Sequence, residues 1–269
     1  MDAMTGGSTM RLKFIGVGSA FTTPDYWQSN MLLTSDDGKR MMIDCGADAR
    51  HSMREQGLTA NDVDAVYISH CHSDHVGGME WLALSRYFNK GLPRPKLFIV
   101  EELVEYMWEH ALRAGLETIE GKVTNLTDFF DCQPVELNGS FRWGYANLIP
   151  VQTVHTMAGY KIQKSYGLII RDESPKPIKG QPRVVFLTTD TQYCPTQIRC
   201  FYEQADVIFH DCETVPFRSG VHAHYDDMRK IDEKYKAKMW LYHYQPNPQQ
   251  DPVKDGFKGF IRKGQEFEI

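Results

Sequence analysis

Residues 63–75 read VDAVYISHCHSDH, an apolar run that leads directly into a cluster of histidines. The run Ala65–Ser69 predicts a buried strand, and the six residues after it contain three histidines and one aspartate. These four side chains are His70, His72, Asp74 and His75. Residues two apart in extended chain point the same way, and neutral imidazole and carboxylate are ligands that suit zinc and related divalent metals. The pattern therefore predicts a metal site at the carboxyl end of a strand.

On either side of this stretch, apolar runs and amphipathic segments alternate along the chain. Predicted strands are Leu12–Val17, Met31–Thr34, Arg40–Ile43, Lys96–Val100, Leu148–Val154, Lys161–Ile170, Arg183–Thr188, Val207–His210 and Met239–Tyr242. Predicted helices are Ala47–Gln56, Gly78–Asn89, Glu101–Arg113, Pro195–Gln204 and Tyr225–Tyr235. Residues 115–145 show no clear pattern. Two β-rich halves that each end in strand and helix predict one layered α/β domain over 10–269, after a flexible leader over 1–9.

Composition and charge exclude several classes of protein. The 269 residues carry a net charge of −5 with 42% hydrophobic residues, which excludes a disordered chain and a basic protein that coats nucleic acid. No apolar run approaches the ~18 residues of a membrane span, and the opening MDAMTGGSTM lacks the features of a secretion signal. The six cysteines are irregularly spaced, so they predict reduced thiols and no disulfide framework. We expect a soluble, cytoplasmic protein without membrane contact.

The H-x-H-x-D-H pattern of residues 70–75 resembles the signature of the metallo-β-lactamase superfamily, which implies a four-layer αβ/βα sandwich. The resemblance covers nearly the whole chain, because the superfamily's later ligands find matches in the same order. His155 in VQTVHTMAGY matches the third histidine, Asp190 in VVFLTTDTQY the bridging aspartate, and His243 in MWLYHYQ the final histidine. Asp44 in MMIDCGADA matches an early structural aspartate, for which we expect a supporting role outside the ligand set.

The resemblance implies a ligand set for two metal ions. It assigns His70, His72 and His155 to one ion, assigns Asp74, His75 and His243 to the other, and makes Asp190 the bridge. Zinc is the expected metal, with manganese as the alternative. Two such ions share a water and lower its pKa, which implies hydrolysis. Asp74 is counted among the catalytic residues as well as among the ligands.

Two further stretches resemble the branch of the superfamily that contains tRNase Z and the cyclic-nucleotide phosphodiesterases. The first is FIGVGSAFTTPDYWQSN followed by MMIDCG, and the second is ADVIFHDCE followed by SGVHAHYDDM. The branch places a His-Glu motif and a catalytic histidine in the second stretch, whereas this chain has His-Asp-Cys there. A departing alkoxide needs a proton, so we assign His222 as the donor with Asp211 as its carboxylate, and His224 as the alternative donor. His210 is expected to be buried structure.

The substrate is expected to be small. The 34 residues between His155 and Asp190 are needed for two strands and a turn, which leaves no room for the long tRNA-gripping arm of tRNase Z. The net charge of −5 also argues against a large nucleic acid as partner. Phosphodiesterase-type motifs without an arm resemble the cyclic-nucleotide phosphodiesterases, including the anti-Pycsar enzymes with which phages destroy cyclic pyrimidine signals. That resemblance implies attack of a metal-bound hydroxide on phosphorus to give a mononucleotide.

Several alternatives stay open from the sequence. The same ligands suit a tRNase Z-like endoribonuclease, a lactonase or a β-lactamase, and a non-catalytic metal-binding module is a different class. Tyr26, Trp27 and Phe217 are candidates for stacking on a base, against the alternative of ordinary packing. Related enzymes commonly dimerise, so we expect a homodimer. The amphipathic Glu101–Arg113 helix is a candidate interface, or else the outer layer of the sandwich.

Overall fold

The computed structural model describes residues 10–175 and 177–269, and the predicted leader 1–9 lies outside the described residues. Strands in chain order are β1 (Arg11–Phe14), β2 (Met31–Thr34), β3 (Arg40–Ile43), β4 (Ala65–Ile68), β5 (Lys96–Val100), β6 (Thr118–Ile119), β7 (Lys122–Val123), β8 (Asp131–Val135), β9 (Phe141–Trp143), β10 (Ala146–Ala158), β11 (Lys161–Asp172), β12 (Val184–Leu187), β13 (Val207–Asp211), β14 (Met239–Tyr242), β15 (Gly259–Phe260) and β16 (Glu266–Glu268). They form one sheet in the order β16-β1-β2-β3-β4-β5-β8 and a second in the order β15-β14-β13-β12-β11-β10-β9, with β6 and β7 as a separate pair.

Helices cover the outer faces of both sheets. They are α1 (Ala49–Glu55), α2 (Ser73–Val76), α3 (Met79–Tyr87), α4 (Glu101–Met107), a π-helical turn (Trp108–Leu112), α5 (Arg113–Leu116), α6 (Leu126–Phe129), α7 (Pro195–Gln204), α8 (Tyr225–Met228) and α9 (Glu233–Lys236), with a 3₁₀ turn at Ala60–Asp62. Within residues 10–175 and 177–269, none of the helices combines the length and apolar character that crossing a bilayer requires.

Three apolar clusters hold these layers together. The inner cluster contains Phe14 and Tyr67 from the first sheet and Leu187 and Phe209 from the second, so it fills the space between the sheets. A second cluster joins the first sheet to α1, α3 and α4, and a third joins the second sheet to α7, α8 and α9. The arrangement is helix, sheet, sheet, helix, which confirms the predicted four-layer αβ/βα sandwich.

Parallel strands lie at the centre of the first sheet and at one side of the second. β3, β4 and β5 run parallel, and so do β12, β13 and β14. All four residues of β4 are buried, as expected for a parallel strand covered on both faces. The carboxyl ends of parallel neighbours meet at one edge of a sheet. The residues that directly follow these strands are therefore brought together.

The turn Asp36-Asp37-Gly38 forms the predicted hairpin. β2 and β3 pair antiparallel with Leu33 opposite Met41, and Gly38 adopts a φ of 84° that favours glycine. The hairpin of β10 and β11 is longer than predicted, because it continues to the turn at Gly159.

Other predictions need correction. The single helix predicted over Tyr225–Tyr235 is wrong: α8 and α9 are separate, and the chain turns between them so that Ile231 is buried in the outer cluster of the second sheet. The unpatterned residues 115–145 contain short elements, among them α6, β8 and β9. β15 and β16 were not predicted. β16 pairs with β1, with Arg11 opposite Glu268, so its partner lies at the other end of the chain.

The Glu101–Arg113 segment lies in the helical layer. Leu103, Met107 and Leu112 are buried against the first sheet, so most of its apolar face is already covered. The segment also continues beyond its predicted end, through the π-helical turn into α5. This observation favours the outer-layer alternative over an interface for this helix. Homodimer formation itself stays a prediction.

Candidate metal centre

The histidine-rich turn begins where β4 ends. His70 follows the strand by two residues, and His72 has extended backbone angles and precedes the first turn of α2, which carries Asp74 and His75. The change from extended to helical backbone turns the second pair of side chains away from the first. One short stretch thus supplies ligand-type atoms to two neighbouring groups.

The first group contains His70, His72 and His155 together with Asp190. His72 Nδ1 lies 3.0 Å from both His70 Nε2 and His155 Nε2. Asp190 Oδ2 lies 3.7 Å from His70 Nε2 and 3.6 Å from His155 Nε2. The four ligand-type atoms lie within 4.8 Å of one another, close enough to hold a single ion.

A β-bulge places His155 in this group. In the β10–β11 ladder, Val154 pairs with Lys164 and Thr156 pairs with Gln163, which leaves His155 without a residue opposite it. A bulge inserts one extra residue and re-aims its side chain. His155 is fully buried as a result, although it lies near the end of a long hairpin.

The second group contains Asp74, His75 and His243, again with Asp190. His75 Nε2 lies 3.2 Å from Asp190 Oδ2 and 3.3 Å from Asp74 Oδ2. His243 Nε2 lies 3.6 Å from the same Asp190 oxygen and 3.8 Å from Asp74 Oδ2. The structure thus brings together all seven residues of the predicted ligand set, with Asp190 Oδ2 next to both groups.

Three residues in or beside these groups have left-handed backbone. Asp44 has a φ of 62°, Thr189 a φ of 49° and His243 a φ of 63°. Such angles are unfavourable for residues other than glycine, and they persist where the surrounding structure enforces them, often at functional sites. Each of these residues follows a parallel strand and turns the chain towards the ligand-type atoms.

Polar groups outside the set orient its members. His75 Nδ1 lies 2.8 Å from Asp44 Oδ2, and the Asp44 carboxylate also accepts hydrogen bonds from the amide and hydroxyl of Ser69, both at 2.8 Å. Asp44 therefore has the supporting role expected for it, since it holds both the ring of His75 and the start of the turn.

Sequence reasoning missed three other supports. His70 Nδ1 lies 3.0 Å from the hydroxyl of Ser69, and His243 Nδ1 lies 3.0 Å from the hydroxyl of Ser29. His155 Nδ1 lies 3.0 Å from the backbone carbonyl of Val221. Ser69 directly precedes the histidine pattern and was a detectable signal. A backbone carbonyl carries no sequence signal.

The electrostatics of the groups suit a cation. Burial lowers the pKa of His155 and that of His243 to about 4, so both rings are neutral at pH 7, which is the form that binds metals. Burial opposes a charge on His75, but the carboxylates of Asp190 and Asp74 outweigh it and raise the pKa of His75 well above its usual range. A positive charge is thus favoured where these groups meet.

Unpartnered atoms give a direct test of fit. Among the described residues, His243 Nε2 and Asp190 Oδ1 are buried without a hydrogen-bond partner. Leaving buried polar atoms unpaired costs free energy, and each of these atoms belongs to the side chains expected to ligate. Neutral imidazoles and carboxylates converging in this way fit divalent metal binding.

His222 and Asp211 lie beside both groups. His222 Nδ1 lies 2.8 Å from Asp211 Oδ2, and its ring centroid lies 5.2 Å from that of His155 and 4.8 Å from that of His243. Burial opposes a charge on His222, but the Asp211 carboxylate outweighs it and raises the pKa of His222 to about 9. The His222 side chain is 15% exposed, whereas that of His243 is fully buried. His222 is therefore open to a ligand on its other nitrogen.

His224 is placed differently. Its Nδ1 accepts a hydrogen bond from the amide of Asp226 at the start of α8, and its Nε2 lies 2.9 Å from the carbonyl of Val215. Both ring nitrogens are thus used locally, which speaks against the alternative that His224 is the proton donor. His210 is buried as expected, with Nε2 2.6 Å from the hydroxyl of Tyr202.

The three candidate stacking residues, Tyr26, Trp27 and Phe217, differ in their contacts and exposure. The Tyr26 hydroxyl contacts Asn247, and the Trp27 ring stacks on His51 with centroids 5.7 Å apart, so both side chains take part in ordinary packing. Phe217 is 67% exposed and remains available.

A sequence model of the anti-Pycsar protein Apyc1 family matches residues 10–267. Anti-Pycsar protein Apyc1 of Bacillus phage vB_BveM-Goe7 is 30% identical over 96% of this chain and 98% of its own, and that of Saccharibacillus brassicae is 31% identical over 97% and 100%.

Solved structures match the fold at lower identity. The metallo-β-lactamase fold protein YhfI from Bacillus subtilis has a TM-score of 0.73 at 18% identity, covering 97% of this chain and 100% of its own. A diphosphatase of the PhnP family has a TM-score of 0.70 at 19% identity, covering 97% of each chain. The short form of human tRNase Z has a TM-score of 0.65 at 14% identity, covering 96% of this chain and 98% of its own.

These likenesses confirm the predicted metallo-β-lactamase fold. Together with the converging histidines and aspartates, they support a metal-dependent hydrolase. Because the family match spans nearly the whole described chain, the protein belongs to the anti-Pycsar protein Apyc1 family.

Proposed function

We propose that the protein is a dinuclear-metal-dependent phosphodiesterase that opens cyclic nucleotides to mononucleotides. The observation that carries the proposal is the His222–Asp211 pair, which lies beside two groups of ligand-type residues that share Asp190 Oδ2. The name of the family is consistent with a cyclic-nucleotide substrate.

The ligand assignment follows the two groups. His70, His72 and His155 would hold one ion, Asp74, His75 and His243 would hold the other, and Asp190, which belongs to both groups, would be shared. We propose zinc, with manganese as the alternative, because imidazole and carboxylate suit both. When bound, two such ions lower the pKa of a shared water and stabilise charge on phosphoryl oxygens.

The chain's own residues then orient the reactants and move a proton. Asp211 accepts from His222 Nδ1, which fixes the ring and leaves Nε2 as the proton donor. A ribose oxygen leaves phosphorus as a poor leaving group, and protonation by His222 Nε2 makes its departure easier. Asp211 is itself held by the amide of Thr191 at 2.9 Å, next to Asp190, so the donor is tied to the ligand set.

A small substrate is supported by the chain between His155 and Asp190. Its described residues form the end of β10, then β11, the following turn and β12, and they contain no extended arm. With a net charge of −5, the protein is poorly suited to a polyanion as long as tRNA.

The experiment compares two substrates. Purified protein with zinc is incubated with 3′,5′-cyclic nucleotides and, separately, with bis(p-nitrophenyl) phosphate, whose p-nitrophenolate departs without a proton. His222→Gln should retain its metal and lose roughly 10²–10⁴-fold in rate on the cyclic nucleotide, with a much smaller loss on the nitrophenyl ester. His51→Gln, at an exposed histidine outside both groups, is the matched control and should resemble the wild type.

Three outcomes would contradict the proposal. Cyclic nucleotides that survive while precursor tRNA is cut at its 3′ end would favour the endoribonuclease. Cleavage of a lactam or lactone in place of the phosphodiester would favour the other hydrolase classes. If His224→Gln lost rate on the cyclic nucleotide but not on the nitrophenyl ester, and His222→Gln lost none, His224 would be the proton donor.

A further inference from the structure

Three hydrogen bonds join the chain segment that carries Asp190 to the strand that carries His155. The hydroxyl of Thr153 donates to the backbone carbonyl of Asp190 at 2.9 Å. The amide of Gln192 donates to the carbonyl of Val154 at 2.6 Å, and its side-chain Nε2 donates to the carbonyl of His155 at 2.5 Å. The segments that supply the third histidine of the first group and the shared aspartate are therefore connected directly beside the metal centre.

The contact to His155 matters because this residue forms the bulge in β10. It has no residue opposite it in the β10–β11 ladder, and a bulge leaves its extra residue unpaired. The side chain of Gln192 supplies a donor to the backbone at this point, while the carbonyl of Val221 faces the ring Nδ1 at 3.0 Å. One contact thus holds the backbone of His155 and the other holds its ring.

The backbone that carries Gln192 is itself fixed. The amide of Thr191 donates to Asp211 Oδ2 at 2.9 Å, and the Gln192 side chain is half-buried. A carboxamide nitrogen carries two donor hydrogens, which suit a backbone carbonyl. A side chain that starts from an ordered backbone and is partly covered loses less conformational freedom when it makes such a bond.

We propose that Gln192 is a positioning residue for the metal centre, an inference that rests on the ligand assignment of the proposed function. It acts through His155, whose Nε2 it helps to hold at 3.6 Å from Asp190 Oδ2. Loss of the contact should weaken the first group. The second group should change little, because its own members, Asp74, His75 and His243, lie on other segments of the chain.

The test compares side chains with and without the donor. Gln192→Met keeps nearly the same length and removes both donor hydrogens, and Gln192→Asn has a carboxamide one methylene shorter. Titration of the metal-free protein with cobalt(II), followed by its visible absorption, measures the two binding steps. In both variants the affinity of one step should fall by roughly 10–100-fold, as expected when a group that orients a metal ligand is lost.

Gln197→Met is the matched control. Gln197 Nε2 also donates to a carbonyl of β10, that of Gln152 at 3.3 Å, three residues before His155. Both cobalt affinities of this variant should resemble those of the wild type, because Gln152 is not a ligand and Gln197 contacts none of the ligand set through this bond.

The site of the loss distinguishes positioning of His155 from a general structural role, which would weaken both steps. In a His243→Ala background, which removes a ligand of the second group, Gln192→Met should still weaken the remaining ion. In a His72→Ala background it should leave the remaining ion unchanged. Equal losses in the two backgrounds, unchanged affinities in Gln192→Met, or an equal loss in Gln197→Met would overturn the inference.

Failure of the proposed function would look different, because these titrations need no substrate. Wild-type protein that binds two cobalt ions and leaves every cyclic nucleotide intact would refute the phosphodiesterase. The cobalt affinities of the Gln192 variants would still decide whether Gln192 positions His155.

Discussion

Replacing Asp44 by Asn should weaken metal binding in one group more than in the other. The carboxylate accepts three hydrogen bonds, two from Ser69 and one from His75 Nδ1, all at 2.8 Å. Asn is the informative substitution because it tolerates the left-handed backbone of this position, whereas Ala would add strain.

The magnitude follows from which contact is lost. In Asp44→Asn, the amide oxygen of the new side chain keeps the hydrogen bond from the amide of Ser69, and the Ser69 hydroxyl can turn to accept from the new NH₂ group. That NH₂ group cannot accept the hydrogen bond that His75 Nδ1 donates to Asp44 Oδ2. A hydrogen bond to a charged group contributes about 1.5–3 kcal/mol. Changes in groups that orient metal ligands lower metal affinity by roughly 10–100-fold, or about 1.4–2.7 kcal/mol, which agrees with that range.

Competition titration of the metal-free protein with a zinc-binding dye measures the two binding steps. The zinc affinity of one binding step should fall by roughly 10–100-fold, and that of the other should change less, because His75 belongs only to the second group. Asp206→Asn is the matched control: its carboxylate accepts from two backbone amides, at 2.8 and 3.0 Å, at the opposite end of β13. Two unchanged affinities in Asp44→Asn, or an equal loss in Asp206→Asn, would refute the reasoning.

Three further predictions concern the metal content and the stability of the fold. Asp190→Ala should retain less than one equivalent of metal by elemental analysis, and two equivalents in that variant would contradict the bridging assignment. Gly167→Ala places a Cβ 2.6 Å from two backbone carbonyl oxygens and should lower the free energy of unfolding in urea by about 1–3 kcal/mol. Gly91→Ala, whose Cβ would lie no closer than 3.6 Å to its nearest neighbour, the side-chain oxygen of Asn89, should be nearly neutral, and equal losses would contradict the packing argument. Burial lowers the pKa of His210 from 6.5 to about 4, so between these values the unfolded chain binds a proton that the folded chain does not. Stability should therefore fall as pH drops from 6.5 to 4, by up to about 3 kcal/mol from this group, and the pH dependence should be shallower in His210→Gln.

The sequence was most informative where function and fold depend on the same local pattern. The strand at Ala65–Ile68 is detectable because all its residues are apolar, and the histidines that follow it must lie at its carboxyl end. The order of the later ligands could be read for the same reason, since Asp190 and His243 each follow a short apolar strand. Local sequence is sufficient to identify these ligands because side chains alternate between the two faces of a strand, so the spacing of residues in the chain shows which side chains share a face.

The sequence alone left the choice between His222 and His224 open. The two histidines are two residues apart, and nothing in their spacing shows which one faces the ligand groups. In the folded protein, His224 uses both nitrogens locally, while His222 meets Asp211, eleven residues earlier in the chain. Their roles differ through contacts made only after the loop packs.

Features that depend on distant partners emerge only in the folded chain. The bulge that aims His155 inward depends on the register between β10 and β11, and its support is the carbonyl of Val221, a group that every residue type carries. β16 exists because it pairs with β1 at the other end of the chain, and its three residues have too little pattern to predict a strand. Which side chains are available as ligands, and the order of the strands that carry them, can be read from the sequence because both depend on local chemistry and periodicity. Their convergence on Asp190 Oδ2 depends on the packing of two sheets, and so it could be seen only in the folded chain.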